Sequence, residues 1–308
     1  MRAADHRGQA QRAGIMIGRR ATLKIAIGAV CAGGLAAYAP RRHVWTGRGF
    51  GADLSVTLMG PADGIDATFA AIGAEVARIE SLFSLFQPAS ALSRLNRDGY
   101  LADPPADLVA LLGLSRRIWQ ASGGAFDPTV QGIWNRPAQG RAPVGFQHVR
   151  LSGDAIRLDR PGMALTLNGI AQGFASDRIA ALLRDRGYDT HLVDLGEFAG
   201  AGRPWHMAID GATGTRIAET RLRDRALATS APAAMTLRDG GGHILHPAGR
   251  APVWRTVSVM AQSAAVADGL STALSLMPLS DIRALDRAAL DVARIWLEDP
   301  QGGVTQIG

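Results

Sequence analysis

The chain has 308 residues, 47% of them hydrophobic and 19% charged, which supplies a substantial core and excludes a disordered polyelectrolyte. Its formal charge of +6 is unevenly spread: residues 1–42 hold eight of the 33 basic residues and a single acid, leaving 25 basic against 26 acidic residues in 43–308. The body of the protein is therefore close to neutral, and no nucleic-acid partner is expected.

Arg19-Arg20-Ala21-Thr22-Leu23-Lys24 is a twin-arginine pattern, and an apolar stretch from Ile25 to Ala39 follows it. At about 1.5 Å per residue that stretch is too short for a hydrocarbon core of about 30 Å. Residues 1–39 are therefore expected to be a leader that exports the folded protein to the periplasm, the alternative being an N-terminal membrane anchor with the body facing the periplasm. Cys31, the only cysteine, lies in this leader. No disulfide, thiolate zinc site or cysteine nucleophile is then possible in the folded body.

Residues 43–308 show no linker, repeat or charge block and are expected to form one domain. Gly47-Arg48-Gly49-Phe50-Gly51 predicts a glycine-rich turn, and Leu54–Met59 alternates as a strand should. Ile65, Phe69, Ile72, Val76, Ile79 and Leu82 recur at spacings of three and four, the stripe of an amphipathic helix. Pro104-Pro105 opens a second helix through Trp119. Strand-like runs follow around Val149–Leu151, Ile156–Leu158 and Ala164–Leu167. A helix over Ile170–Leu183 comes next, with Gly187 as its stop. His191–Leu195 and Trp205–Ile209 predict strands, the second running into a glycine-rich hairpin turn. Val253–Met260 predicts a strand, Ala264–Met277 a helix and Ala293–Leu297 a late strand. This irregular order points to an α+β fold rather than a doubly wound sheet.

The common nucleotide and hydrolase motifs are missing: there is no Walker loop, no nucleophile-elbow serine and no dinucleotide fingerprint after a strand. Asp268 and Thr272 lie four apart on the expected helix and share a face. A carboxylate and a hydroxyl there suit a hard cation such as magnesium, although an aspartate near a helix start and a back-bonding threonine explain the pair structurally as well. Gly169-Ile170-Ala171-Gln172-Gly173 stands where a helix begins, with N–H groups available to a phosphate. Gly123–Thr129 reads as a loop after a helix. His243 follows three glycines, and a histidine with an ordinary pKa of about 6.5 can serve as a general base near neutrality.

Together these stretches resemble the ApbE family of FAD:protein FMN transferases over nearly all of residues 45–280. The matching segments, in family order, are Phe83–Phe86 with Ser90–Asn96, then Gly124–Val130, Asn168–Asp177, Leu192–Glu197, Ala228–Ser230, His243–Pro247 and Ala267–Thr272. The resemblance implies a single domain with mixed sheets and packed helices, and an FAD cleft between sub-lobes. It implies Mg²⁺ held by the side chains of Asp268 and Thr272 with backbone carbonyls of Ala171 and Ser271, and His243 as the base. Phe50, Phe86, Ala125, Phe126, Asp127, Gln172, Thr229 and Ser230 would contact FAD.

Several positions depart from the family pattern: Gln172 stands for a lysine, Glu197 and His246 each for an aspartate and Phe86 for a tyrosine, and the stretches Phe50-Gly51-Ala52 and Ala248-Gly249-Arg250 also differ. With the leader, this pattern resembles a NosX-like branch linked to nitrous oxide reductase maturation, whose acceptor would be a NosR-type membrane-bound flavoprotein. A flavin carrier, an FAD hydrolase and a maturation scaffold share many of these residues and are the competing expectations.

Overall fold

A computed structural model describes residues 41–135, 143–235 and 242–308. The twin-arginine segment and its apolar stretch lie outside the described residues. Among those described, no helix is long and apolar enough to cross a membrane.

In chain order the elements are β1 (Arg41–Gly49), β2 (Ala52–Gly60), α1 (Ile65–Phe83), α2 (Ala91–Asp98), β3 (Tyr100–Ala102), α3 (Ala106–Ala121) and α4 (Gln131–Asn135). Then come β4 (Val149–Leu151), β5 (Ala155–Leu158), α5 (Ala171–Asp185), β6 (Thr190–Asp194), β7 (Phe198–Ala201), β8 (Trp205–Asp210) and β9 (Arg216–Leu222). The last are β10 (Arg225–Ser230), β11 (Thr256–Ala261), α6 (Ala264–Leu274), α7 (Leu279–Ala284), β12 (Val292–Glu298) and β13 (Val304–Ile307). The α+β class expected from the sequence is the one observed.

An eight-stranded sheet in the order β1-β2-β6-β7-β10-β11-β12-β13 organises the molecule, and each of its strand pairs is antiparallel. Side chains alternate between its two faces, as the pleat requires. Ala226, Ala228, Val257, Val259, Ile295 and Leu297 face the large core shared with α1, α3, α5 and α6. Leu192, Phe198, Leu227, Met260 and Trp296 face the other way and pack on Trp205, Met207, Ile209 and Leu222 of the β8–β9 hairpin. That hairpin turn falls where the sequence placed it.

Three expectations are corrected. Residues Gly47–Gly49 belong to β1, and only Phe50 and Gly51 make the turn. Both have positive φ, 52° and 74°. That is the two-residue geometry whose twist matches paired strands, and the Phe50 N–H is held by Glu80 Oε1 at 2.7 Å. Ala164–Leu167 makes only an isolated parallel bridge, between Ala164 and Val130, and at Leu165 a side chain takes the place of a ladder partner. Asn96 accepts from the Leu165 N–H at 2.7 Å and donates to its carbonyl at 2.8 Å. The strand expected from Val253 begins at Thr256 instead, since the Val253 N–H goes to the Ser275 carbonyl at 2.8 Å.

Candidate active site

The site forms where the N-terminal turn of α5, the stretch Asp268–Thr272 of α6 and the end of β10 meet. These two helices start side by side because Gly173 leaves no gap between them. A β-carbon at Gly173 would collide with the Ala264 carbonyl and stand 2.8 Å from the Ala265 Cα. Asp268, buried at 4% exposure, reaches across from α6 and accepts from the Gly173 N–H at 3.0 Å. A carboxylate suits the positive end of α5 and satisfies a first-turn donor that the helix itself cannot.

One turn further along α6, Ser271 and Thr272 face β10. The Ser271 hydroxyl donates to the Asp268 carbonyl at 2.9 Å. Its single proton is thereby committed, so Ser230 is the donor in the 2.8 Å Ser230–Ser271 pair. Ser230 also lies 3.4 Å from the Thr272 hydroxyl. Thr272 has room because residue 169 is glycine: a β-carbon there would sit 2.9 Å from Thr272 Oγ1. Asp268, Thr272 and Ser230 thus bring one carboxylate and two hydroxyls to a common corner, next to the α5 turn that begins at Ala171. These are hard oxygen donors of the kind magnesium prefers, and backbone carbonyls keep a second lone pair for such use. Among the described residues no group of three or more His, Cys, Asp or Glu could hold a metal, so a cation here depends on hydroxyl and carbonyl oxygens.

The surroundings are tied to the same corner. Gln172, at 6% exposure, donates to the Leu195 carbonyl at 3.0 Å, so it staples α5 to the turn after β6. Glu197 accepts from the Thr229 N–H at 3.1 Å, and its carbonyl accepts from Ser176 at 2.8 Å. Thr229 itself differs from Ser230. Its hydroxyl pairs with Ser258 at 2.8 Å on the hairpin face of the sheet, so toward the site it offers backbone only.

Other expected residues fall into two groups. Phe86 is 78% exposed, yet its loop is ordered: Ser84 Oγ accepts from the Phe86 N–H at 3.1 Å, and the Ser84 carbonyl accepts hydroxyls from Ser90 at 2.6 Å and Ser93 at 2.9 Å. A bare aromatic ring on a fixed loop is suited to stacking on a planar ligand. Ala125, Phe126 and Asp127 are buried instead. Asp127 organises its own loop, accepting from the Thr129 N–H at 2.9 Å, the Thr129 hydroxyl at 2.6 Å and the Phe146 N–H at 3.1 Å. Burial raises its pKa, while these donors and the Trp119 side chain oppose the rise. Asp127 therefore shapes the loop from inside. His243 is half-buried in the segment after β10, where the next residue, Ile244, is anchored in the main core. His246 is buried against Arg250, whose Nη2 lies 2.7 Å from His246 Nε2. Burial and, less strongly, the Arg250 charge lower its pKa.

The fold carrying this corner is shared with solved ApbE structures. It matches the apo form of Pseudomonas stutzeri flavinyl transferase ApbE with a TM-score of 0.74 and 23% identity, covering 89% of this chain and 96% of that one. It matches the Thermotoga maritima ApbE protein with a TM-score of 0.75 and 20% identity, over 86% and 97% of the two chains. The sequence pattern of the ApbE family fits residues 50–296, and the chain belongs to that family. Among relatives, it is 26% identical over 250 residues to the FAD:protein FMN transferase of Klebsiella pneumoniae, covering 69% of this chain and 71% of the relative. It is also 26% identical over 281 residues to the enzyme of that name in Salmonella typhimurium, covering 77% and 79%.

Proposed function

We propose that the chain transfers FMN from FAD to a threonine hydroxyl of an acceptor protein and releases AMP. The observation that carries this reading is the convergence of Asp268, Thr272 and Ser230 at the start of α5, an oxygen-rich corner built for a cation and a phosphate. The residues fit Mg²⁺, held by the Asp268 and Thr272 side chains with carbonyls of Ala171 and Ser271. When bound, the ion supplies charge neutralisation for the pyrophosphate.

The chain's own groups do the rest. The first turn of α5 turns the positive end of the helix toward the phosphates. Phe86 offers a ring to the flavin. His243 takes the proton of the attacking threonine hydroxyl as the new O–P bond forms and the pyrophosphate bond to AMP breaks, a general-base role open to an imidazole. Gln172, buried and bonded to Leu195, keeps the α5 turn in place where the family pattern has a lysine.

The leader and the pattern of departures support a finer reading: export to the periplasm by the twin-arginine route, or retention there by an N-terminal anchor, and a NosR-type membrane-bound flavoprotein as acceptor. The test is to incubate the purified protein with FAD, MgCl₂ and a NosR-type domain and follow the acceptor by intact mass. The acceptor gains the mass of FMN less one water, and AMP appears in equal amount. FAD bound without any mass gain would make the protein a carrier, and free FMN with AMP would make it a hydrolase.

A further inference from the structure

Asp268 caps α5 from α6, and a second carboxylate does the reverse. Asp177, on α5, accepts from the Ser263 hydroxyl at 2.6 Å, the Ala264 N–H at 2.8 Å and the Ala265 N–H at 3.0 Å. Ser263 is itself the N-cap of α6, accepting from the Val266 N–H at 3.3 Å. Each helix therefore has its positive end held by a carboxylate of the other, with Gly173 letting the two backbones touch between the ties.

We propose that Asp177 is a positioning residue, the second half of a reciprocal clamp that fixes the register of α6 against α5 and so places Asp268 and Thr272 for the cation. The inference rests on the proposed cation site. A single tie, Asp268 to Gly173, would leave α6 free to pivot about that contact. The second tie lies about one turn further along α5, at the start of α6, and removes the pivot. Sliding α6 by a fraction of a turn would carry the Thr272 hydroxyl away from Ser230 and Gly169, and the oxygens would no longer converge. Groups that orient ligands from behind typically matter by about tenfold to a hundredfold in metal affinity.

The experiment is a titration of the full protein with MgCl₂ at fixed FAD, read by flavin fluorescence, alongside urea unfolding. Asp177→Ala shifts the magnesium midpoint upward by at least about tenfold. Asp177→Asn, which keeps a carbonyl oxygen for the α6 N–H groups, folds more securely and shifts it less. Leu222→Ala, in the hairpin core far from both helices, serves as a destabilised control whose midpoint stays at the wild-type value. Unchanged midpoints in both Asp177 variants, with only the urea transition lowered, would reduce Asp177 to a structural cap and overturn the clamp. A wild-type protein whose flavin signal ignores magnesium would instead overturn the cation site, and the clamp's role with it.

Discussion

The two faces of the large sheet are built on opposite principles. On the hairpin face, Trp205, Met207, Ile209, Leu222 and Trp296 make a small apolar core. Its buried carboxylate, Glu298, serves architecture alone, accepting from the Thr256 hydroxyl at 2.5 Å and the Ala212 N–H at 3.0 Å to hold the hairpin tip. On the helical face the buried polar groups Asp268, Ser271 and Gln172 and the half-buried Asp177 each bridge two elements and together surround an oxygen-lined corner. Burying polar groups is costly unless every partner is in place. A region that concentrates them at one corner is organised for chemistry, whereas the hairpin face is organised for stability.

That contrast can be broken by substitutions whose effects separate activity from stability. The largest expected effect is that of Asp268→Asn, which keeps an oxygen for the Gly173 N–H but removes the charge. FMN transfer falls by at least about a hundredfold, with the urea midpoint little changed, because charge stabilisation by the cation is lost. Leu222→Ala on the other face does the opposite: it costs about 3 kcal/mol of stability by opening a cavity, measured by urea unfolding. Phe86→Ala sharpens the picture at the rim. It weakens FAD binding by about tenfold through loss of stacking, with no stability cost, since the ring is already in solvent.

The smallest effect is one of pH. His191 is fully buried on the helical face, its Nδ1 bonded to the Tyr188 carbonyl at 2.7 Å and its Nε2 without a hydrogen-bond partner. Burial, aided by the Arg184 charge, lowers its pKa from the usual 6.5, against the opposing Tyr188 bond. The unfolded chain therefore takes up a proton as pH falls below about 6.5 while the folded chain does not. His191's contribution to stability is complete above that pH and declines on the acid side. In His191→Gln the urea midpoint between pH 7.5 and 5 changes less than in the wild type.

Much of the helical face is legible in the sequence because its signals are local. The three-and-four spacing from Ile65 to Leu82 became α1, and the four-residue spacing of Asp268 and Thr272 put both on α6 beside the site. What escaped depends on pairing between distant segments. Thr229 and Ser230 are adjacent in sequence, but register against β11 sends their hydroxyls to opposite faces of the sheet. Ala164–Leu167 has the composition of a strand and lost its ladder to Asn96, a residue 69 positions away from Leu165. Asp177 stood inside a recognised motif with no role, since its partners at Ser263 to Ala265 lie 86 to 88 residues downstream. Only the close approach enforced by Gly173 reveals that Asp177 and Asp268 belong to one device.

The most direct test follows FMN transfer to an acceptor domain by intact mass, using wild type, Asp268→Asn and Leu222→Ala at equal concentrations of folded protein. If the site and the scaffold lie on opposite faces, Leu222→Ala transfers at nearly the wild-type rate per folded molecule while Asp268→Asn leaves the acceptor mass unchanged. Wild-type transfer by Asp268→Asn, or a proportionate loss in both variants, would contradict the assignment of the chemistry to the α5–α6 corner.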